Sequence, residues 1–215
     1  MTNMPENLLS IIGIDGAGKS TQVSAVSAAL CDLGVDARPI VAKAFGARTV
    51  TVLAEQLTGD RFAYHPLIPA ELREWALACD LAQYTRIEFT PLLQQGTTLV
   101  WDRGPLAYRV SADVYGGLSE WVERAQALFP WPRRTYLLDL PASIAVDRLR
   151  KRSSRPQQAD ESEPLLEQVR AGLLRESQTR GDVVVLDATR DDVELTRTIV
   201  ADWLSSSCRG IGTSA

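Results

Sequence analysis

GIDGAGKS, residues Gly13 to Ser20, decides how the rest of the chain is read. It is a full match to G-x-x-x-x-G-K-[ST]. It sits between an apolar run, Leu8 to Ile14, and a helical pattern with Val23, Val26, Leu30 and Leu33 on one face. Phosphate oxygens need many donors at short range. A glycine-rich turn lets backbone N–H groups converge on the anion, and the helix that follows turns the positive end of its dipole toward it. Gly13, Gly16, Ala17 and Gly18 form the cradle. Lys19 reaches the β- and γ-phosphates, Ser20 places its hydroxyl on Mg2+, and Thr21 completes the ATP-binding set. The competing reading, a chance glycine turn at a helix start, does not account for the strand before and the helix after.

Asp15 stands inside this loop. A carboxylate beside a triphosphate is repelled unless it points elsewhere. It is expected either to face the acceptor side and accept a hydrogen bond from a sugar hydroxyl, or to cap the following helix.

Outward from the motif, strand and helix patterns alternate. Gly34 is placed to cap the first helix, and Val35 to Val41 reads as a second strand. Thr49 to Leu57 reads as a short helix and His65 to Pro69 as a loop. A long helix runs from about Ala70 to Gln94, broken near Pro91. TTLVWD then forms a strand closing on Asp102. Residues 104 to 130 hold at least one helix, with Trp121, Ala125 and Leu128. Thr135 to Asp139 is a strand, and Pro141 opens a helix toward Arg152. Residues 153–163 read as a loop. A helix at about 164–179, a strand at Val183 to Asp187 and a helix at Asp191 to Ser205 complete the chain. Such alternation implies a mainly parallel sheet covered on both faces, in a single domain over residues 1–215.

Composition limits the partners. The net charge of −4 gives no global reason to expect nucleic-acid binding. Cys31, Cys79 and Cys208 fit neither a zinc spacing nor a disulfide framework, and the sole histidine, His65, has no partner for a zinc site. MTNMPENLLS lacks the basic and apolar regions of a secretory leader, and no apolar stretch approaches the length of a membrane span. A cytoplasmic protein without membrane contact is expected. Trp101, Trp121, Trp131 and Trp203 read as core or interface residues.

The second functional signal is Asp102-Arg103, at the end of the strand LVWDR. Ligands of open α/β sheets gather at the carboxyl ends of the strands. An aspartate there can orient hydrated magnesium, and an arginine can clamp a phosphate with its planar fork. Alone the pair reads as a surface Asp-Arg; beside the phosphate loop it reads as function. A third signal is the crowding of Arg148, Arg150, Lys151, Arg152 and Arg155 into eight residues. It is either a solvated basic helix end or a phosphate-binding segment.

The chain resembles the thymidylate kinase family. The resemblance rests on GIDGAGKSTQ with its internal acidic residue, on ALACDLAQYTRIEFTPLLQQGTTLVWDRG (Ala76 to Gly104), on TYLLDLPASIAVDRLRKR (Thr135 to Arg152) and on the tail VVVLDATRDDVELTRTIVADWL. It implies a P-loop NTPase fold of three α/β/α layers. The five-stranded parallel sheet would have order 2-3-1-4-5, with a mobile lid at about 152–163. It implies transfer from ATP to a deoxynucleoside monophosphate, and a homodimer. On the matching positions, Lys19 and Ser20 hold ATP and magnesium, and Asp102 positions magnesium with its waters. Arg103 binds the acceptor phosphate, Arg148 lies near the adenine, and Arg152 or Arg155 closes over the transferring group.

The acceptor side departs from the family pattern. Leu81 stands where the family carries an arginine that reads the thymine edge, and Leu77 where it carries a stacking aromatic residue. Trp75, Gln83 or Arg86 offers a substitute. Tyr108 or Tyr115 serves where the family has Ala-Tyr-Gln, and Arg48 is the phosphate-binding candidate in KAFGARTV. A site built to hydrogen-bond one group rejects analogues strongly, so these changes point to an acceptor that is either thymidylate or a related, modified pyrimidine nucleotide. Three other classes compete. A regulatory GTPase is disfavoured because the only asparagines, Asn3 and Asn7, precede the loop. A non-catalytic ATP-binding protein and a kinase for a non-nucleotide acceptor stay open.

Overall fold

Five consecutive buried residues, LLSII, make Leu8–Ile12 a strand with no face left for water. Thr98–Asp102 (TLVWD) is equally buried along its length. Strands of this kind belong in the middle of a parallel sheet covered on both sides. In the computed structural model they are neighbours, with Leu8 opposite Leu99 and Ile11 opposite Asp102. The structure describes residues 5–41, 45–60, 63–152 and 161–208, with the backbone alone at 45–48, 65, 66, 207 and 208.

Along the described residues the elements are β1 (Leu8–Ile12), α1 (Lys19–Asp32), β2 (Ala37–Val41), α2 (Phe45–Thr58), α3 (Tyr64–Leu67) and α4 (Ala70–Tyr84). They continue with α5 (Thr90–Gln94), β3 (Thr98–Asp102), α6 (Pro105–Val114), α7 (Glu120–Gln126) and β4 (Arg134–Asp139). The last are α8 (Ala142–Arg152), α9 (Glu163–Ser177), β5 (Val183–Asp187) and α10 (Asp192–Cys208). The five strands are all parallel and lie in the order β2-β3-β1-β4-β5, as the resemblance implied. One face of the sheet packs on α1, α8, α9 and α10 through Val26, Leu30, Val146, Leu173 and Ile199. The other packs on α4 and α7 through Leu8, Leu99, Trp101, Leu81 and Val122. No helix of the described residues is long and apolar enough to cross a membrane.

Several boundaries move, each for a local reason. β1 ends at Ile12, because Gly13 turns the chain at φ 151° where a strand to Ile14 was expected. The second helix starts at Phe45 rather than Thr49. A short helix, Tyr64–Leu67, occupies part of the expected loop at 65–69. The stretch from 104 to 130 holds two helices, and Leu128 lies beyond the second and is exposed. The long helix is interrupted by a π-turn at Thr85–Phe89, which ends two residues before Pro91. Proline has no N–H for the carbonyl one turn earlier, and a wider turn absorbs the mismatch. Of the tryptophans read as core or interface residues, Trp101 and Trp203 are in the core, and Trp121 is 62% exposed.

Candidate active site

The carboxyl ends of β1 and β3 adjoin, so the loop after β1 and the turn after β3 share one edge of the sheet. Two glycines of the loop are required by contact as well as by dihedral angle. A Cβ on Gly16, at φ +88°, would lie 2.6 Å from the carbonyl oxygen of Ala145 on α8. One on Gly13, at φ +151°, would lie 2.7 Å from that of Leu138 on β4. The loop is thus pressed against its neighbours, and no side chain with a Cβ fits at either place. Ala17 is buried, and its N–H donates to the Ile14 carbonyl at 3.1 Å. Helix α1 follows Gly18 with no side-chain cap and no acidic residue in its first turn. Its N-terminal amides are thereby left for an anion.

Lys19, 6% exposed, donates to the Ile14 carbonyl at 2.9 Å and to Asp15 Oδ1 at 3.0 Å. The same Oδ1 accepts from Arg103 Nη2 at 2.6 Å. Asp15 therefore links the phosphate loop to the second motif, and it makes no cap on α1. Burial alone would raise the Asp15 carboxyl; the charges and hydrogen bonds of Arg103 and Lys19 outweigh it and hold it well below the usual carboxylate range. Lys19 is pushed below an ordinary lysine by burial, with Arg103 adding to the effect and Asp15 offsetting part of it. Arg103 is raised, first by Asp15.

Arg103 is the one non-glycine among the described residues with positive φ, at 75°. Its N–H still donates to the Ile11 carbonyl at 3.0 Å, so the chain leaves the β-ladder and turns within one residue. That turn sends the guanidinium back over the phosphate loop. Next to it, Ser20 Oγ donates to Asp102 Oδ2 at 2.6 Å, while Asp102 Oδ1 is buried with no hydrogen-bond partner. A buried carboxylate oxygen without a donor, beside a serine hydroxyl at a phosphate loop, fits a hydrated magnesium ion. Among the described residues no cluster of three His, Cys, Asp or Glu could hold a metal by itself.

Beside the loop lies an open cleft of about 550 Å³. Gly16, Gly18 and Thr21 form its floor, Arg148 and Arg152 of α8 one wall, and Arg190, Asp191 and Asp192 of the β5–α10 turn the other. Arg148 Nη2 donates to the Ala188 carbonyl at 3.2 Å and ties the walls together. Sequence reasoning missed the second wall. The available signal was the position of ATRDD after β5, at the ligand edge of the sheet.

The acceptor-side candidates are less tightly grouped. Leu81 is 1% exposed and belongs to the core with Trp101, Tyr108 and Phe129, and Leu77 is half-buried against that core. Tyr108 is buried, with burial the main cause of a hydroxyl pushed up to about 12, and its ring centroid is 6.2 Å from that of Trp101. Tyr115 is half-buried, at the end of α6. Trp75, Gln83 and Arg86 are exposed. Arg155 and most of the expected lid lie outside the described residues, as does the side chain of Arg48.

A parallel sheet of this order, with a phosphate loop after β1 and an Asp-Arg pair after β3, defines a P-loop phosphotransferase. The thymidylate kinase family model matches residues 11–199. A thymidylate kinase of Dinoroseobacter shibae is 26% identical over 209 residues, covering 92% of this chain and 96% of that protein. One from Chromobacterium violaceum is 31% identical over 201 residues, 89% of this chain and 91% of that protein, and one from Bordetella petrii is 29% identical over 197 residues, 87% and 89%. The chain belongs to the thymidylate kinase family and is a nucleotide-binding kinase with ATP as its phosphoryl donor.

Proposed function

We propose that this kinase moves the γ-phosphoryl group of ATP, with Mg2+, to a pyrimidine deoxynucleoside monophosphate, with dTMP the first candidate acceptor. The carrying observation is the shared Asp15 oxygen. It holds a cation of the donor loop, Lys19, and a cation of the second motif, Arg103, at one point. Donor and acceptor phosphates each need a cation, and the two phosphates must meet. The relatives named above are thymidylate kinases, which supports dTMP over other acceptors.

In this reading an oxygen of the acceptor phosphate attacks the γ-phosphorus, the bond to the bridging oxygen of ADP breaks, and ADP leaves with that electron pair. The acceptor is already anionic, so no strong general base is required. Lys19 and the α1 amides hold the donor phosphates, Arg103 holds the acceptor phosphate, and Ser20 and Asp102 hold the magnesium position. The metal, when bound, neutralises phosphate charge. Asp15, released from its cations by the incoming phosphates, is free to accept from an acceptor sugar hydroxyl. Arg148 flanks the donor base. Arg152, at the end of α8 and on the cleft, is placed to meet the donor phosphates. Leu81 is buried in the Trp101 core and Leu77 offers no hydrogen bond from α4, so the acceptor base is oriented by packing and by Tyr108. Leu53, Leu57, Leu72 and Trp75 expose an apolar face on the adjoining α2 and α4, which supports a homodimer.

Steady-state turnover across a panel of nucleoside monophosphates, reading ADP release that depends on the acceptor, tests this. dTMP as the best substrate is the expected result. Lys19→Ala and Arg103→Ala should each abolish transfer with the fold intact. ATP binding with no acceptor-dependent ADP release from any monophosphate would refute the reading.

A further inference from the structure

Gln22 lies one turn beyond Lys19 on α1, and its side chain is completely buried, at 0% exposure. Its side-chain hydrogen bonds all go to α10. Nε2 donates to the carbonyl oxygen of Asp192 at 3.0 Å and to Asp192 Oδ1 at 3.3 Å, while Oε1 accepts from Thr196 Oγ1 at 2.9 Å. Buried amides are fixed by such bonds, because leaving any of them unmade is costly. Asp192 lines the cleft together with Arg148. Its neighbour Asp191 is held from within the turn, its Oδ1 accepting from the N–H groups of Val193 at 2.9 Å and Glu194 at 3.3 Å. The wall is therefore pinned twice, once to its own helix and once to the helix that begins at the phosphate loop.

A nucleoside triphosphate whose phosphates lie on Gly13 to Ser20 has an open cleft for its base beside that loop, lined by Arg148 and Asp192. The spacing between the phosphate cradle and the far wall then decides whether a base fills the cleft while its phosphates stay seated. Only Gln22 bridges α1 and Asp192 among the hydrogen bonds of the described side chains. We propose that Gln22 is a positioning residue for the donor nucleoside: it sets the Asp192 wall against the phosphate loop, so that base and polyphosphate are bound together. This rests on the donor assignment above. It predicts that Gln22 matters to ligands that carry a base and not to the polyphosphate alone.

Gln22→Leu keeps the volume and removes both sets of hydrogen bonds, and Thr196→Val removes the one hydroxyl that contacts both Gln22 Oε1 and the Asp192 carbonyl. Calorimetric titration of each full-length variant with Mg-ATP and with magnesium tripolyphosphate separates the roles. For Gln22→Leu the affinity for ATP should fall about tenfold and that for tripolyphosphate stay within about twofold. KM for ATP should rise with kcat and the acceptor KM nearly unchanged. Thr196→Val should give a smaller shift of the same pattern, and it decides the matter if Gln22→Leu does not fold. Equal weakening of ATP and tripolyphosphate, or no change in either, would overturn the proposal. Unmodified protein that binds neither ligand would instead overturn the donor assignment itself.

Discussion

Arg103 reaches back from the end of β3 to donate to Asp15 Oδ1 at 2.6 Å, an oxygen that already accepts from Lys19. One carboxylate thus partly neutralises two cations that the substrates will claim. Asp15→Asn removes that competitor. Its affinity for magnesium tripolyphosphate should rise several-fold, while phosphoryl transfer should fall at least tenfold because a neutral amide holds the acceptor sugar hydroxyl less firmly than a carboxylate. Stability should fall by about 1 kcal/mol at neutral pH, since the Asp15 side chain is 28% exposed and solvent screens the pair. The sign follows from the depressed carboxyl. Its stabilisation is present above the unfolded carboxylate value of about 4 and fades as pH falls below it. Weaker tripolyphosphate binding than in the unmodified protein would show that Asp15 does not compete.

Lys19 loses its proton at lower pH than a surface lysine, because burial disfavours the ammonium. A bound triphosphate favours the ammonium and moves its pKa back up. ATP binding in alkaline solution should therefore take up a proton and weaken as pH rises through the free-protein value. Calorimetry in buffers of different ionisation enthalpy measures that uptake; binding that is pH-independent up to the ordinary lysine range would contradict it.

The positive φ of Arg103 costs about 1 kcal/mol in any residue with a Cβ. Arg103→Gly should therefore unfold at a higher temperature than Arg103→Ala, by about 2–4 °C, with transfer lost in both. Equal melting temperatures would mean that the turn relaxes when the guanidinium is gone.

On α9, Arg170 grips Asp139 with two bonds, Nε to Oδ1 at 2.6 Å and Nη2 to Oδ2 at 3.1 Å. The pair joins α9 to the carboxyl end of β4, and each side chain is about a quarter exposed. Arg170→Met leaves a half-buried carboxylate unpaired and should cost about 1–2 kcal/mol in denaturant unfolding. An unchanged midpoint would place the pair among ion pairs with no net effect.

The phosphate loop was legible in GIDGAGKS because its chemistry is local. The backbone amides, the lysine and the serine that hold a phosphate lie within one turn, so spacing along the chain is spacing in space. The strands β1 and β3 were legible for a similar reason, as unbroken apolar runs need cover on both faces. The partnership of Asp15 with Arg103 spans 88 residues, and that of Gln22 with Asp192 spans 170. No periodicity reports such pairs, since they exist only once the parallel order β2-β3-β1-β4-β5 brings the strand ends to one edge. Leu81 shows the same limit: its place on a helix was readable, but whether it faced a substrate or the Trp101 core depended on packing. Sequence alone determined that this chain holds a polyphosphate, because that takes one contiguous turn. Tertiary structure decided which distant charges meet it, because a carboxylate and a guanidinium select each other by proximity and burial, and the fold alone sets both.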